Sequence, residues 1–153
     1  MTNCYKSILL LLFICQISAS SLFSQVKLPL LISDGMVMQR DKQLKLWGWA
    51  SGGEEVVLSF GNNTYKAKSD ASGKWLILLP PQKAGGPQEM IFRASNEIRV
   101  RNILFGDVWI CSGQSNMELT MDRVRFKYAA EIVSGNYPMI RQFTVPDKYN
   151  FKF

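Results

Sequence analysis

One short stretch concentrates the residue types that carry chemistry: GDVWICSGQSNMEL, Gly106 to Leu119. An apolar run, Val108 to Cys111, reaches a cluster of small and polar residues, and Ser115 follows where helical spacing begins. Two readings compete. Ser115-Asn116-Met117-Glu118 matches S-x-x-E, the capping box, in which Ser115 accepts from the N–H three residues on and Glu118 reaches back. The other reading is a nucleophile. A serine at the start of a helix, beyond the end of a parallel strand, faces the crevice where α/β folds hold ligands. Backbone N–H groups and the positive end of a helix dipole suit an oxyanion formed by attack on an ester carbonyl. Gly113 permits a tight turn, but Met117 stands where G-x-S-x-G has its last glycine, so the usual nucleophile elbow is not implied.

A serine nucleophile needs a base, ordinarily an imidazole. The 153 residues contain no histidine. Cys111 is an inferior nucleophile candidate. It sits in the apolar run, which reads as a small buried hydrophobe, whereas reactive thiols need an electropositive, accessible niche. No cluster of metal-ligating residues is visible, and no cofactor is expected.

The elements that must position Ser115 come in two parts. From Val26 to Ile103 the chain reads as short strands between Gly, Asn and Pro turns: QLKLWGWA, EEVVLSF, TYKAKSD, KWLILLP, EMIFRAS and EIRVRNILF. Such spacing predicts an antiparallel β-sandwich-like domain over 26–103. Trp47, Trp49 and Trp75 lie within it, either as core or as a stacking surface for a glycan. At Leu104 the pattern changes. LFGDVWICSG reads as a strand buried on both faces of a parallel sheet. Met117, Met121, Val124, Tyr128 and Ile132 fall on one helical face, with Gly135 placed to end the helix. MIRQFTV reads as strand again. This βαβ unit, over 104–153, is the expected start of an α/β domain that is incomplete as it stands, as in a truncated gene product.

The ends and totals add context. Residues 1–24 have one early positive charge, Lys6, an apolar core from Ile8 to Ile17, and small residues at Ser18 to Ser20. That is the layout of a cleaved signal peptide, too short to span a bilayer, and implies an exported, periplasmic or secreted chain with no stable membrane insertion. After cleavage Cys111 alone remains of Cys4, Cys15 and Cys111, so no internal disulfide is expected. The net charge of +6 comes from scattered basic residues, which argues against nucleic acid as partner.

The stretch GDVWICSGQSNMEL resembles the nucleophile block of the sialate O-acetylesterase family, among the SGNH hydrolases. LPLLISDGMVMQRDKQLKLWGWASGGEEV resembles the opening of that family's β domain, and GNYPMIRQFTVP the segment after its nucleophile. The resemblance implies an SGNH, flavodoxin-like α/β domain behind the β domain. It makes Ser115 the catalytic serine, its own N–H an oxyanion donor, and Gln114 and Asn116 residues of the substrate and oxyanion region. It implies an O-acetylated sugar as substrate, sialic acid foremost. The family's other donors and its Asp-x-x-His base have no counterpart here, so the chain by itself is expected to be inactive. The alternative is a non-catalytic carbohydrate-binding β module, or a β domain in which Ser115 only caps a helix.

Overall fold

The computed structural model describes residues 25–145. The leader expected over 1–24 and the closing PDKYNFKF lie outside the described residues. The chain forms seven strands, β1 (Val37–Gln39), β2 (Leu44–Trp49), β3 (Glu55–Phe60), β4 (Asn63–Lys68), β5 (Lys74–Leu79), β6 (Gly85–Arg93) and β7 (Glu97–Gly106). Helical structure follows as α1 (Ser115–Glu118), a 3-10 turn (Met121–Val124) and α2 (Arg125–Ser134). The architecture is sheet-dominated with few helices.

Alternation explains the strands. In β5 the order is exposed Lys74, buried Trp75, exposed Leu76, buried Ile77, exposed Leu78, buried Leu79. A period of two puts every second side chain on one face. β2 repeats this with Leu46 and Gly48 inward and Lys45, Trp47 and Trp49 outward. β2 and β5 pair antiparallel, Leu46 opposite Ile77 and Gly48 opposite Trp75. The other strands form a five-stranded sheet in the order β1-β7-β6-β3-β4. The inner faces of ribbon and sheet share one core that includes Leu46, Leu58, Ile77, Met90, Phe92, Val100 and Ile103. Trp75 and Phe92 meet in it with ring centroids 5.8 Å apart.

Two irregularities of the sheet govern how the chain leaves it. The first is β1, a three-residue strand that pairs parallel to the end of β7, Val37 opposite Leu104 and Gln39 opposite Gly106. It is a parallel edge on an otherwise antiparallel sheet. The second is a bulge in β7. Gln88 pairs with Ile103 and Met90 with Val100, so β7 carries one more residue than β6 between the same rungs. Asn102 takes up the excess with φ +57, a left-handed conformation that asparagine tolerates better than most residues. Its effect is a change of parity: Val100 points in, Arg101 and Asn102 out, and Ile103 in again.

The α/β part differs from the sequence expectation. Leu104 and Phe105 are strand, but as the end of β7, so the boundary expected at 103/104 falls inside that strand. Asp107 to Cys111 form exposed coil. Residues 139–145 contain no strand either. A doubly buried parallel strand needs a hydrogen-bonded neighbour on each side. Leu104–Gly106 have β1 and β6; Val108–Cys111 and Met139–Val145 have no such neighbour among the described residues. No βαβ unit is therefore formed among them. α2 covers the expected Lys127–Ser134 and ends at Gly135, but Tyr128 breaks its helical geometry and none of its residues is buried.

Candidate active site

Ser115 is the first residue of α1, and its N-cap is Gln114. No side chain caps this helix. Ser115 thus lies one position inside the helix and not at the N-cap where S-x-x-E would place it. The Ser115 hydroxyl is exposed and has no hydrogen-bond partner among the described residues. Gln114 and Asn116 flank it, are exposed too, and make no side-chain hydrogen bonds there. The amide N–H of Met117 donates to the Gln114 carbonyl at 2.8 Å, which closes the turn. Gly113 faces Met117 closely; a Cβ at position 113 would lie 2.5 Å from Met117 Cγ.

The structure brings Gln114, Ser115 and Asn116 together in sequence and in space, on one turn. Among the described side chains, no base or acid is hydrogen-bonded to them. α1 has four residues, so it supplies little of the dipole expected of a full helix. The hollow lined by Met121, Glu131, Ile132, Tyr137 and Gln142 does not include Ser115, nor does the shallow one lined by Trp47, Gly48, Trp49, Lys74 and Trp75. No group of metal-ligating side chains occurs among the described residues. Cys111, expected to be a buried hydrophobe, is exposed, because the segment that carries it pairs with no strand.

The entry to this segment is held from β1. Arg40 donates from Nε to Asp107 Oδ1 at 3.0 Å and from Nη2 to Asp107 Oδ2 at 3.3 Å. Asp107, with Asp41, raises the Arg40 pKa by hydrogen bonding and charge. The Val108 N–H donates to Gln39 Oε1 at 3.0 Å. Residue type and spacing single out none of these partners. The MQRD run lies inside a β-domain stretch, and its pairing with GDV across the sheet edge has no local signature.

Of the three tryptophans expected as core or platform, Trp75 is core, at 3% exposure. Trp47 and Trp49 project from the outer face of β2, at 39% and 41%. No helix among the described residues is long and apolar enough to cross a membrane.

A solved carbohydrate acetylesterase from Xanthomonas citri superposes with a TM-score of 0.76 at 37% identity, over 82% of this chain and 29% of that one. Sialate O-acetylesterase from mouse is 33% identical over 74% of this chain and 23% of its own length. The human sialate O-acetylesterase is 36% identical over 59% of this chain and 20% of its own length. On these matches the chain belongs to the sialate O-acetylesterase family; it spans about a fifth to three tenths of the length of the relatives it matches. No family model matches the chain.

Proposed function

We propose that this chain is part of an exported carbohydrate O-acetylesterase that hydrolyses acetyl esters on sialic acid or a related sugar. The observation that carries the reading is the 37% identity to a carbohydrate acetylesterase of the same fold, across most of the chain. The free, exposed Ser115 hydroxyl supports a nucleophile over a cap. In this reading residues 26–103 are a β-sandwich-like domain and 104–153 begin an SGNH α/β domain. Ser115 attacks the acetyl carbonyl, its proton passes to a histidine, an acetyl-enzyme forms, and water releases acetate. These 153 residues hold no histidine, so the base comes from elsewhere in a working enzyme. Gln114 and Asn116 line the substrate and oxyanion region.

Loss of a general base lowers rates by about 10²–10⁴-fold. The chain alone should therefore release no acetate from O-acetylated sialic acid above background, whereas a longer polypeptide that supplies histidine should, and Ser115→Ala should abolish it. Turnover by the chain alone, or full activity of the longer Ser115→Ala protein, defeats the proposal.

A second reading is a carbohydrate-binding β module. Trp47 and Trp49, on one face of β2 beside the paired Leu76 and Lys74, support it. Stacking of a sugar ring on either indole would change tryptophan emission. The readout is a titration with N-acetylneuraminic acid in a Trp109→Phe background, where lack of any emission change removes this reading.

A further inference from the structure

No described side chain between Asp107 and Ile140 is buried, so core packing does not fix where Ser115 sits. Hydrogen bonds at the two ends do. At the entry, Gln39 holds Val108 and Arg40 holds Asp107, and the Arg40 N–H donates to the Gly106 carbonyl at 2.9 Å. At the exit, Arg141 Nη1 donates to the Gly35 carbonyl at 2.8 Å and also to the Asn102 carbonyl, while Nη2 donates to Asn102 Oδ1 at 2.9 Å. The left-handed turn at Asn102 takes its carbonyl out of the ladder and offers it to Arg141. Gly35 precedes β1, Gln39 ends it and Arg40 follows directly. Entry and exit are thus tied to opposite ends of the same short edge strand.

We propose that the β1 edge positions the Ser115 segment, with Gln39 and Arg40 as positioning residues at its entry and Arg141 at its exit. The consequence for catalysis rests on the esterase reading; the clasp itself does not. The β domain then acts as the mount of the nucleophile turn. Arginine suits both points, because its planar fork holds donors on separate nitrogens in fixed geometry, whereas lysine's three donors share one nitrogen on a flexible stem.

The test is amide hydrogen exchange on the full chain without substrate. Gln39→Ala with Arg40→Ala should speed exchange of the Val108 amide on the order of tenfold, the combined effect expected for one backbone bond and one exposed ion pair. Amides of β3 and β6 should not change. Arg141→Ala should free residues 136–141 in the same local way, and Arg141→Lys should not restore them. The swap Arg40→Asp with Asp107→Arg should return the Val108 amide toward its original rate, while either single swap should not. Unchanged exchange at Val108 in the double alanine variant overturns the proposal, and so does a uniform rise that includes β3 and β6. Ser115→Ala should leave the profile as it is. Loss of the esterase reading would show in acetate release and not here.

Discussion

Arg40 and Asp107 stand 67 positions apart in the chain, yet the guanidinium of one grips both carboxylate oxygens of the other. Arg40 directly follows the edge strand and Asp107 opens the segment that leads to Ser115. The pair is exposed and makes little claim on global stability. Its value is geometric, since it fixes the direction in which the chain leaves the sheet.

Ser115→Ala separates the two readings of that residue in one protein. The hydroxyl is not at the N-cap and has no partner among the described residues, so the unfolding free energy from urea denaturation should stay within about 0.5 kcal/mol of the parent's. A true N-cap serine would lose about 1 kcal/mol. Acetate release by a longer, histidine-bearing polypeptide should vanish with the same change.

Gly48→Ala should destabilise the β domain by about 1–3 kcal/mol, as overpacking does. A Cβ there would run into the Lys27 carbonyl oxygen and lie 2.6 Å from Trp75 Cζ2. The Lys27 carbonyl accepts the Trp49 N–H at 2.9 Å, so relief of the clash breaks a bridge. Urea denaturation of Gly48→Ala against Trp47→Ala, whose side chain lies outside the core, isolates the effect.

Phe92→Ala should cost about 3–5 kcal/mol. Phe92 is fully buried and packs on Trp75 where sheet and ribbon meet. Loss of the ring removes contacts from both layers, and thermal unfolding should record it as a lowered midpoint.

Acid should weaken the fold through Glu54. Burial pushes its carboxyl up, but the N–H groups of Ser51 and Ser95 at 2.9 and 2.6 Å outweigh that and hold it below the ordinary 4.5. A depressed carboxylate stabilises the fold above its unfolded pKa, and that contribution fades as pH falls through the folded value. The loss begins as pH approaches 4.5 from above and completes below the lowered value. Asp70 and Glu97, also lowered, act in the same direction. Glu54→Gln should be less stable at neutral pH and show a flatter decline below pH 4.5, read from denaturant midpoints across pH.

Most of the β domain is legible because its strands alternate between a wet and a dry face. LKLWGW and NTYKAK form where period-two patterning places them, and EVVLSF and KWLILL form where apolar runs between turn residues do. β1 is not, since a three-residue strand is too short to show a period. The stretch after Gly106 misleads for a physical reason. VWIC is apolar enough for a central strand, but apolarity states what a segment buries, and only a neighbour decides whether it does. Trp109 is 83% exposed and Phe126 90%. At the site, Ser115 can be singled out from its block. The residues that hold the block cannot, because Gln39, Arg40 and Arg141 act at long range, largely on backbone atoms, and nothing in residue type foretells which carbonyl a guanidinium will reach.

The supernumerary residue in β7 makes length, not just chemistry, a heritable constraint. Replace Asn102 with another amino acid and the strand keeps its count. Remove the codon and the residues after it slip by one: Ile103 and Phe105 would leave the core and Leu104 and Gly106 would turn toward it, with the edge strand facing the wrong rungs. Such a lineage would retain nearly every residue and yet present the serine turn from an inverted stem.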